Sequence, residues 1–388
     1  MNNTLVILPP AEHALRAEKI RRQLTATGAD GVLIHTYVNI YYLTGRIFTG
    51  YIYLPVQGDA LYFVKRPVGM SHEGAVEIRK PEQIELPGQP HKIALELDNL
   101  SYTAANRLSA VFPYAEITNG SGAIAMARAV KTPYEIEQIK ASGIKQERVY
   151  RKIPKLYHDG MTDIELQIEI ERLSRLEGCL GLFRTNGDTM ELFMANVLAG
   201  ENADSPTPYD FAMGGRGIDA SIPVGADGTV IRPGESVMVD ANGNYTGYMT
   251  DMTRTFAAEP LSDQAMRAHR CSIEICHRAE AMAKPGTEAS AIFHMAEETA
   301  READLHNYFM GHRQKAGFVG HGVGIEINEL PVIAPRSTYR LEKGNVIALE
   351  PKFVIPQVGA VGIENTYVVT DNGLQCLTNA PEQIVIFE

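Results

Sequence analysis

The sequence has no surplus of basic residues, since 36 lysines and arginines stand against 47 aspartates and glutamates and give a formal charge of −11. A basic patch is what holds nucleic acid or an anionic membrane surface, so this composition argues against both kinds of partner. The sequence also lacks any run that approaches the roughly 20 apolar residues needed to span a bilayer. We therefore expect neither nucleic-acid binding nor membrane association.

Cysteine is scarce as well. Its four occurrences, Cys179, Cys271, Cys276 and Cys376, follow neither a disulfide framework nor a zinc-finger spacing. Residues 1–13 have no cationic start and only a short apolar run before two prolines, unlike a secretory signal. Reduced thiols without a signal are typical of cytoplasmic proteins, and we expect a cytoplasmic location.

Length and the order of predicted elements indicate two domains. A chain of 388 residues exceeds the usual size of a single hydrophobic core. Residues 1–124 alternate helix-like and strand-like segments, which predicts a small α/β domain. Residues 125–388 contain two predicted helix pairs, each followed by a strand-rich block, at 219–257 and at 317–387. This order predicts a larger α+β domain built from two similar halves.

Two of the predicted helices have strong start signals. Thr132 and Thr162 are each followed three residues later by a glutamate, which is the pattern of a capping box. The residue after Thr132 is a proline, which favours the first helical position. The four predicted helices of the larger domain cover residues 133–153, 163–178, 263–284 and 288–303.

Two aspartates lie on neighbouring predicted strands in the segment VMVDANGNYTGYMTDMTRTF at 237–256. Asp240 and Asp251 each follow residues that favour burial, and the turn-forming residues between them predict that the two strands pair. Buried carboxylates that lie close together need a balancing positive charge. A metal ion would provide that charge, and so would a structural ion pair with Arg254; this segment alone does not separate the two.

Three further residues complete a candidate site. His321 is flanked by glycines, which allow a ligand to approach the backbone closely. Glu350 and Glu364 each end an apolar run, and the residues between them predict a bend that joins two strands. Each residue alone could have a structural role, but with the two aspartates they form an oxygen-rich set with one imidazole, which suits Mn²⁺, Co²⁺, Fe²⁺ or Zn²⁺. Four carboxylates can hold two such ions, which activate a water and polarise a carbonyl.

These motifs resemble those of the Xaa-Pro peptidases of metallopeptidase family M24, which have the creatinase/aminopeptidase or pita-bread fold. The segments VDANGNYTGYMTDMTRTF, GHGVGIEINELP, LEPKF and GIENTYVVT follow the order of that family's metal-binding motifs. NIYYLTG and ARAVKTPYEIEQIK are similar, more weakly, to elements of its N-terminal part. The resemblance implies a creatinase-like α/β domain at 1–124 and a catalytic pita-bread metallopeptidase domain at 125–388.

The resemblance also implies roles for the matching residues. Asp240 would bind one of two divalent metal ions, Asp251 and Glu364 would bridge the pair, and His321 and Glu350 would complete the other ion. Glu350 would also be the catalytic residue that moves a proton from the bridging water. The implied reaction is hydrolysis of a small peptide next to proline, by a dipeptidase or aminopeptidase, and the implied assembly is a homodimer.

Two positions depart from the family pattern. The substrate-binding position seven residues after His321 carries Asn328 in place of histidine, and asparagine can donate a hydrogen bond but cannot be protonated. A second histidine, upstream of the first aspartate, is also absent, and 221–224 reads Ser-Ile-Pro-Val there. Two alternatives follow: a metal-dependent lyase or small-molecule hydrolase on the same fold, or a non-catalytic binding protein. The segment 186–218, rich in Gly, Asn, Asp and Pro, is a candidate for an unusual pocket wall.

Overall fold

The computed structural model describes residues 3–185, 192–211 and 214–388. The chain divides into two units, Met1–Arg128 and Ala129–Glu388. Within the described ranges, no helix combines the length and the apolar character needed to cross a membrane.

The first unit is built on a six-stranded mixed sheet with the strand order β4-β3-β2-β1-β5-β6. Strand β1 pairs antiparallel with β2, to which it is connected through helix α2, and parallel with β5. Helices and strands alternate as predicted for an α/β domain. The elements are α1 (Pro10–Thr25), β1 (Gly31–Ile34), α2 (Tyr37–Thr44), β2 (Thr49–Pro55), β3 (Leu61–Arg66), β4 (Ala75–Glu77), β5 (Lys92–Leu95), α3 (Tyr102–Ser109), β6 (Glu116–Asn119) and α4 (Ser121–Ala129).

The second unit contains a four-stranded sheet of order β17-β9-β8-β7, a five-stranded sheet of order β11-β10-β12-β15-β16 and the separate hairpin β13-β14. Its elements are α5 (Pro133–Tyr150), α6 (Asp163–Leu176), β7 (Ala195–Ala199), β8 (Ser236–Asn244), β9 (Met249–Ala257), α7 (Asp263–Met282), α8 (Ala289–Glu302), β10 (Gly320–Gly322), β11 (Glu329–Ile333), β12 (Val346–Leu349), β13 (Lys352–Ile355), β14 (Gly359–Gly362), β15 (Asn365–Thr370), β16 (Gly373–Cys376) and β17 (Val385–Ile386).

A helix pair precedes each of the two larger sheets and packs against it. The first core joins α5 and α6 to β7, β8 and β9 through the buried residues Val149, Ile170, Val197 and Val239. The second joins α7 and α8 to β12 and β15 through the buried residues Ala279, Ile292, Ile347 and Val369. The predicted α+β domain of two similar halves is confirmed, and its two sheets supply the residues of the candidate site.

Helices α5 and α6 begin at the predicted capping boxes. The Thr132 hydroxyl accepts a hydrogen bond from the backbone N–H of Glu135, and the Glu135 carboxylate accepts one from the backbone N–H of Thr132. Thr162 makes the same reciprocal pair with Glu165. Helix α5 ends at Tyr150, earlier than predicted, because Pro154 has no N–H to continue the helical hydrogen bonds and residues 153–155 form a short 3₁₀ turn instead.

The segment 346–370 contains four strands, not the predicted pair. The predicted bend is present, but it joins β13 to β14, whereas β12 pairs antiparallel with β15. The chain therefore leaves the five-stranded sheet after β12, forms a hairpin and re-enters the sheet at β15. Glu350 and Glu364 lie at the exit and the re-entry, so the topology places the two acids opposite one another.

The buried His269 on α7 should make the stability of this unit depend on pH. Its Nε2 donates to the backbone oxygen of Glu382 over 2.7 Å, and burial lowers the pKa of His269 to about 4. In the unfolded chain the imidazole protonates near pH 6.5. A base whose pKa is lower in the folded protein than in the unfolded chain contributes its full stability at pH values above the unfolded-chain pKa. That contribution is lost as the pH falls towards the pKa in the folded protein. Acidification from pH 7 to pH 5 should therefore lower the free energy of unfolding by about 2 kcal/mol through this group.

Urea unfolding of the wild type and of His269→Gln at both pH values measures this cost. Glutamine retains an N–H donor for the Glu382 carbonyl but does not titrate in this range. We expect the wild type to lose about 2 kcal/mol more than the variant on acidification. Equal losses in the two proteins would show that His269 does not carry the pH dependence.

Candidate metal centre

The two aspartates lie on one face of the hairpin formed by β8 and β9. Asp251 on β9 is directly opposite Asn242 on β8, and Asp240 is two residues before Asn242. Because side chains two residues apart point to the same face of a sheet, this register places Asp240 and Asp251 on the same side, as diagonal cross-strand neighbours. The predicted pairing of the two aspartate-bearing strands is confirmed.

The five-stranded sheet brings the other three residues to this face. His321 on β10 lies opposite Ala348 on β12, two residues before Glu350. Glu364 forms an isolated antiparallel bridge with Thr253 of β9, in which each backbone N–H donates to the other residue's carbonyl. The Thr253 hydroxyl also donates to the Glu364 carboxylate over 2.7 Å. This bridge is one of the direct links between the two halves at the site.

All five predicted metal ligands lie together in the structure and form two overlapping groups. In one group, ligand atoms of Asp251, His321 and Glu364 lie within 4.8 Å of one another. In the other, Asp240, Glu350 and Glu364 meet the same criterion. The His321 Nε2 atom is 3.4 Å from Glu350 Oε1 and 3.8 Å from Asp251 Oδ2. Glu364 belongs to both groups, which is the geometry that bridging would require.

The first group, Asp251, His321 and Glu364, fits a divalent cation. Asp251 Oδ1 and Glu364 Oε1 are buried and accept no hydrogen bond from any residue that the structure describes. A buried carboxylate oxygen without a partner is costly, and a metal ion removes that cost. Carboxylate oxygens together with one imidazole are also the donor set that suits Mn²⁺, Co²⁺, Fe²⁺ or Zn²⁺.

Burial and the neighbouring charges shift the pKa values of Asp251 and Glu350. Burial raises the pKa of Asp251 well above its ordinary value, and the nearby carboxylates of Glu364, Asp240 and Glu350 raise it further. Burial would also raise the pKa of Glu350, but the Lys352 ammonium and His321 hold it down, to about 2. Glu350 is therefore ionised at neutral pH, as a general base must be.

A lysine that the sequence analysis does not single out lies among these acids. The Nζ atom of Lys352 is 2.9 Å from Asp240 Oδ2, 2.9 Å from Glu350 Oε2 and 3.2 Å from Glu364 Oε2. The side chain is completely buried, at 0% exposure. A signal for it is present in the sequence: in LEPKFVIP, a lysine stands at the head of an apolar strand, and lysine is rarely buried unless it is paired.

Arg254, the alternative partner for the aspartates, makes other contacts. Its guanidinium donates to the side-chain oxygen of Asn365 and to four backbone carbonyls, at Thr253, Glu364, Ala380 and Pro381. These bonds lie beside the acid cluster and hold its backbone. In the described part of the chain, the cation in contact with the second group of acids is Lys352, so the predicted alternative of an ion pair with Arg254 is wrong.

The acids open onto a cavity of about 640 Å³, whose wall includes Asn328 and Val224. The Thr185 hydroxyl donates to Asn328 Oδ1 over 3.0 Å and fixes the orientation of the amide. Several residues of the predicted wall segment 186–218 line the cavity, whereas 186–191 and 212–213 lie outside the described residues. The aromatic residues of the wall are Phe183, Phe193, Tyr209, Phe211 and Phe318.

Comparison with known proteins places the chain in a family. Residues 137–371 match metallopeptidase family M24, and residues 16–130 match the creatinase/prolidase N-terminal domain. An uncharacterized peptidase, YqhT of Bacillus subtilis, is 27% identical, and the alignment covers 96% of this chain and 100% of the relative. The Xaa-Pro dipeptidase of Pyrococcus furiosus is 28% identical over 95% of this chain and 99% of its own length.

Solved structures agree on the fold. The Xaa-Pro dipeptidase from Bacillus anthracis superposes with a TM-score of 0.79 at 24% identity, over 96% of this chain and 99% of that one. The prolidase from Pyrococcus horikoshii OT3 gives a TM-score of 0.78 at 23% identity, over 95% and 99%. The fold is thus a pita-bread domain with a creatinase-like N-terminal domain, as the sequence predicts. Since the family match covers more than half of the chain and includes all five acid and histidine positions, this protein belongs to metallopeptidase family M24.

Proposed function

We propose that this protein is a metal-dependent hydrolase that cleaves small peptides at a bond next to proline. The observation that carries the proposal is the convergence of Asp251, His321 and Glu364 beside the cavity, with two buried carboxylate oxygens that no described residue satisfies. These three residues would hold a divalent ion. A bound ion supplies Lewis-acid polarisation of the scissile carbonyl and activation of a water.

Glu350 is the residue we assign to proton transfer. It lines the cavity, so its carboxylate faces the space available to a substrate. Its Oε2 accepts from Lys352 Nζ and its Oε1 lies 3.4 Å from His321 Nε2, which together fix the position of the carboxylate. An ionised carboxylate held in this way can take a proton from the attacking water and return it to the leaving amine.

The cavity supports a small peptide as substrate. Its volume of about 640 Å³ lies within the range of sites for small ligands. Aromatic side chains on the wall suit an apolar ring such as that of proline, and Asn328, the position predicted to bind substrate, lines the same cavity. Proteins named as Xaa-Pro dipeptidases align with this chain over almost its whole length, which supports the same substrate class.

Metal-loaded protein tested against dipeptides gives the decisive measurement. We expect release of free proline from Xaa-Pro substrates, with kcat/KM at least about tenfold above that for matched Xaa-Ala substrates, because a shaped apolar pocket contributes about 1–3 kcal/mol of discrimination. Chelation should abolish turnover and Mn²⁺, Co²⁺ or Zn²⁺ should restore it. If protein with verified bound metal turns over none of a broad Xaa-Pro library, the peptidase assignment fails and a non-peptide substrate takes its place.

The two-ion arrangement expected from the sequence requires a second set of free carboxylate oxygens. A second ion requires oxygens from Asp240, Glu350 and Glu364. In the structure these same three carboxylates contact the ammonium of Lys352.

A further inference from the structure

The ammonium of Lys352 uses all of its N–H donors on the second group, which consists of three acids. A protonated lysine has three N–H bonds and no acceptor, and Lys352 Nζ contacts three carboxylates at 2.9, 2.9 and 3.2 Å. These distances are those of charge-assisted hydrogen bonds. The contacted atoms belong to Asp240, Glu350 and Glu364, which are the members of one of the two groups that could hold a metal ion.

A metal ion and this ammonium compete for the same three carboxylates. A divalent transition-metal ion binds carboxylate oxygens at about 2.0–2.2 Å, so an ion held by these three residues would lie among the atoms that now surround Nζ. Two cations at that separation repel strongly in a buried site. Either the lysine leaves the cluster or the second ion does not bind.

The backbone holds Lys352 in place. It is the first residue of β13, where it lies opposite Gly362 of β14, and the three residues that follow it in the strand are all buried. Pro351 before it restricts the backbone further. The whole side chain is buried, so the ammonium would have to leave its three carboxylates and a buried position to make room for an ion.

The charges of the four acids also favour one metal ion together with the lysine. Asp251 and Glu364 supply the two unsatisfied buried oxygens, and their two negative charges match one divalent ion. Asp240, Glu350 and the other oxygen of Glu364 have the ammonium as a partner. We infer that Lys352 is a built-in cation that takes the place of a second metal ion, and that the centre binds a single divalent ion per chain, at Asp251, His321 and Glu364. This inference rests on the proposed metal dependence and is independent of the choice of substrate.

Metal stoichiometry tests the inference without reference to activity. Full-length protein stripped with a chelator is titrated with Mn²⁺, and the bound metal is measured by calorimetry and by elemental analysis. We expect one ion per chain in the wild type and two in Lys352→Ala, because the substitution frees three carboxylates and the space between them. At saturation, the electron paramagnetic resonance spectrum should be that of an isolated Mn²⁺ ion in the wild type and of an exchange-coupled pair in the variant.

Lys131→Ala is the matched control. Lys131 is also a buried lysine, and its Nζ lies 3.0 Å from Glu329, outside the two candidate groups. This variant should bind one ion, as the wild type does. Circular dichroism establishes that each variant is folded, and the wild-type measurement stands even if Lys352→Ala fails to fold.

The outcomes separate the inference from the proposed function. Two ions per wild-type chain, or one ion in a folded Lys352→Ala protein, overturn the inference and leave the metallopeptidase proposal intact. No bound ion in the wild type overturns both. One bound ion without turnover of any proline-containing peptide overturns the proposed substrate and leaves the inference standing.

Discussion

Asp251→Asn should abolish both metal binding and hydrolysis while leaving the metal-free protein at least as stable as the wild type. Asparagine keeps the shape of the side chain but loses the charge and one of the two acceptor oxygens that an ion needs. A metal ion contributes several kcal/mol of transition-state stabilisation, and about 1.4 kcal/mol corresponds to a factor of ten. We therefore expect kcat/KM to fall by at least about a thousandfold.

The effect on stability should have the opposite sign. In the metal-free protein, burial and the carboxylates of Glu364, Asp240 and Glu350 all disfavour a charge at Asp251. Aspartate must therefore take up a proton on folding at neutral pH, whereas asparagine is neutral already, so the free energy of unfolding should stay the same or rise. Thermal unfolding with and without Mn²⁺ measures this: added metal should raise the melting temperature of the wild type and leave that of the variant unchanged.

Asp163→Asn is the control for removal of a buried carboxylate elsewhere. Asp163 Oδ1 accepts a hydrogen bond of 2.9 Å from the backbone N–H of Gly228, and Oδ2 accepts one of 3.4 Å from Asn202. An amide can accept on one side only, so this variant should lose about 1–3 kcal/mol and still bind metal. Wild-type metal content in Asp251→Asn, or a clear loss of stability in its metal-free form, would contradict the role of Asp251.

Features that depend on neighbouring residues could be predicted from the sequence. The capping boxes at Thr132 and Thr162 involve residues three positions apart, and both helices begin where predicted. The pairing of β8 with β9 follows from turn residues that lie between Asp240 and Asp251. Local hydrogen-bonding preferences and short loops determine both features, so they need no knowledge of the rest of the chain.

Features that depend on distant partners were not accessible in this way. Lys352 and Asp240 are 112 residues apart, and no local pattern relates a lysine after one strand to an aspartate on another sheet. The same limit explains the wrong alternative for Arg254, whose partners Glu364 and Pro381 lie 110 and 127 residues further along the chain. The extra hairpin between Glu350 and Glu364 also escaped prediction, because a bend indicates a turn but not which strands it joins.

Arg254→Met should be strongly destabilising, with a loss of about 3 kcal/mol or more in the free energy of unfolding. Arg254 has 1% of its surface exposed, and its guanidinium makes five hydrogen bonds of 2.7–2.9 Å. Methionine replaces the apolar stem but donates no hydrogen bond. It would leave the buried carbonyls around it without this donor.

The substitution should also weaken metal binding, because two of those bonds, to the carbonyls of Thr253 and Glu364, hold the backbone of Glu364 beside Thr253. Arg254→Lys should recover only part of the stability, since an ammonium cannot reproduce the planar fork of a guanidinium. The exposed Arg301, paired with Glu298 on α8, is the matched control, and Arg301→Met should change the free energy of unfolding by less than about 0.5 kcal/mol. Urea unfolding of the metal-free proteins compares the three variants with the wild type. A loss below about 1 kcal/mol in Arg254→Met would mean that the surrounding carbonyls find other partners and that Arg254 does not hold the acid cluster together.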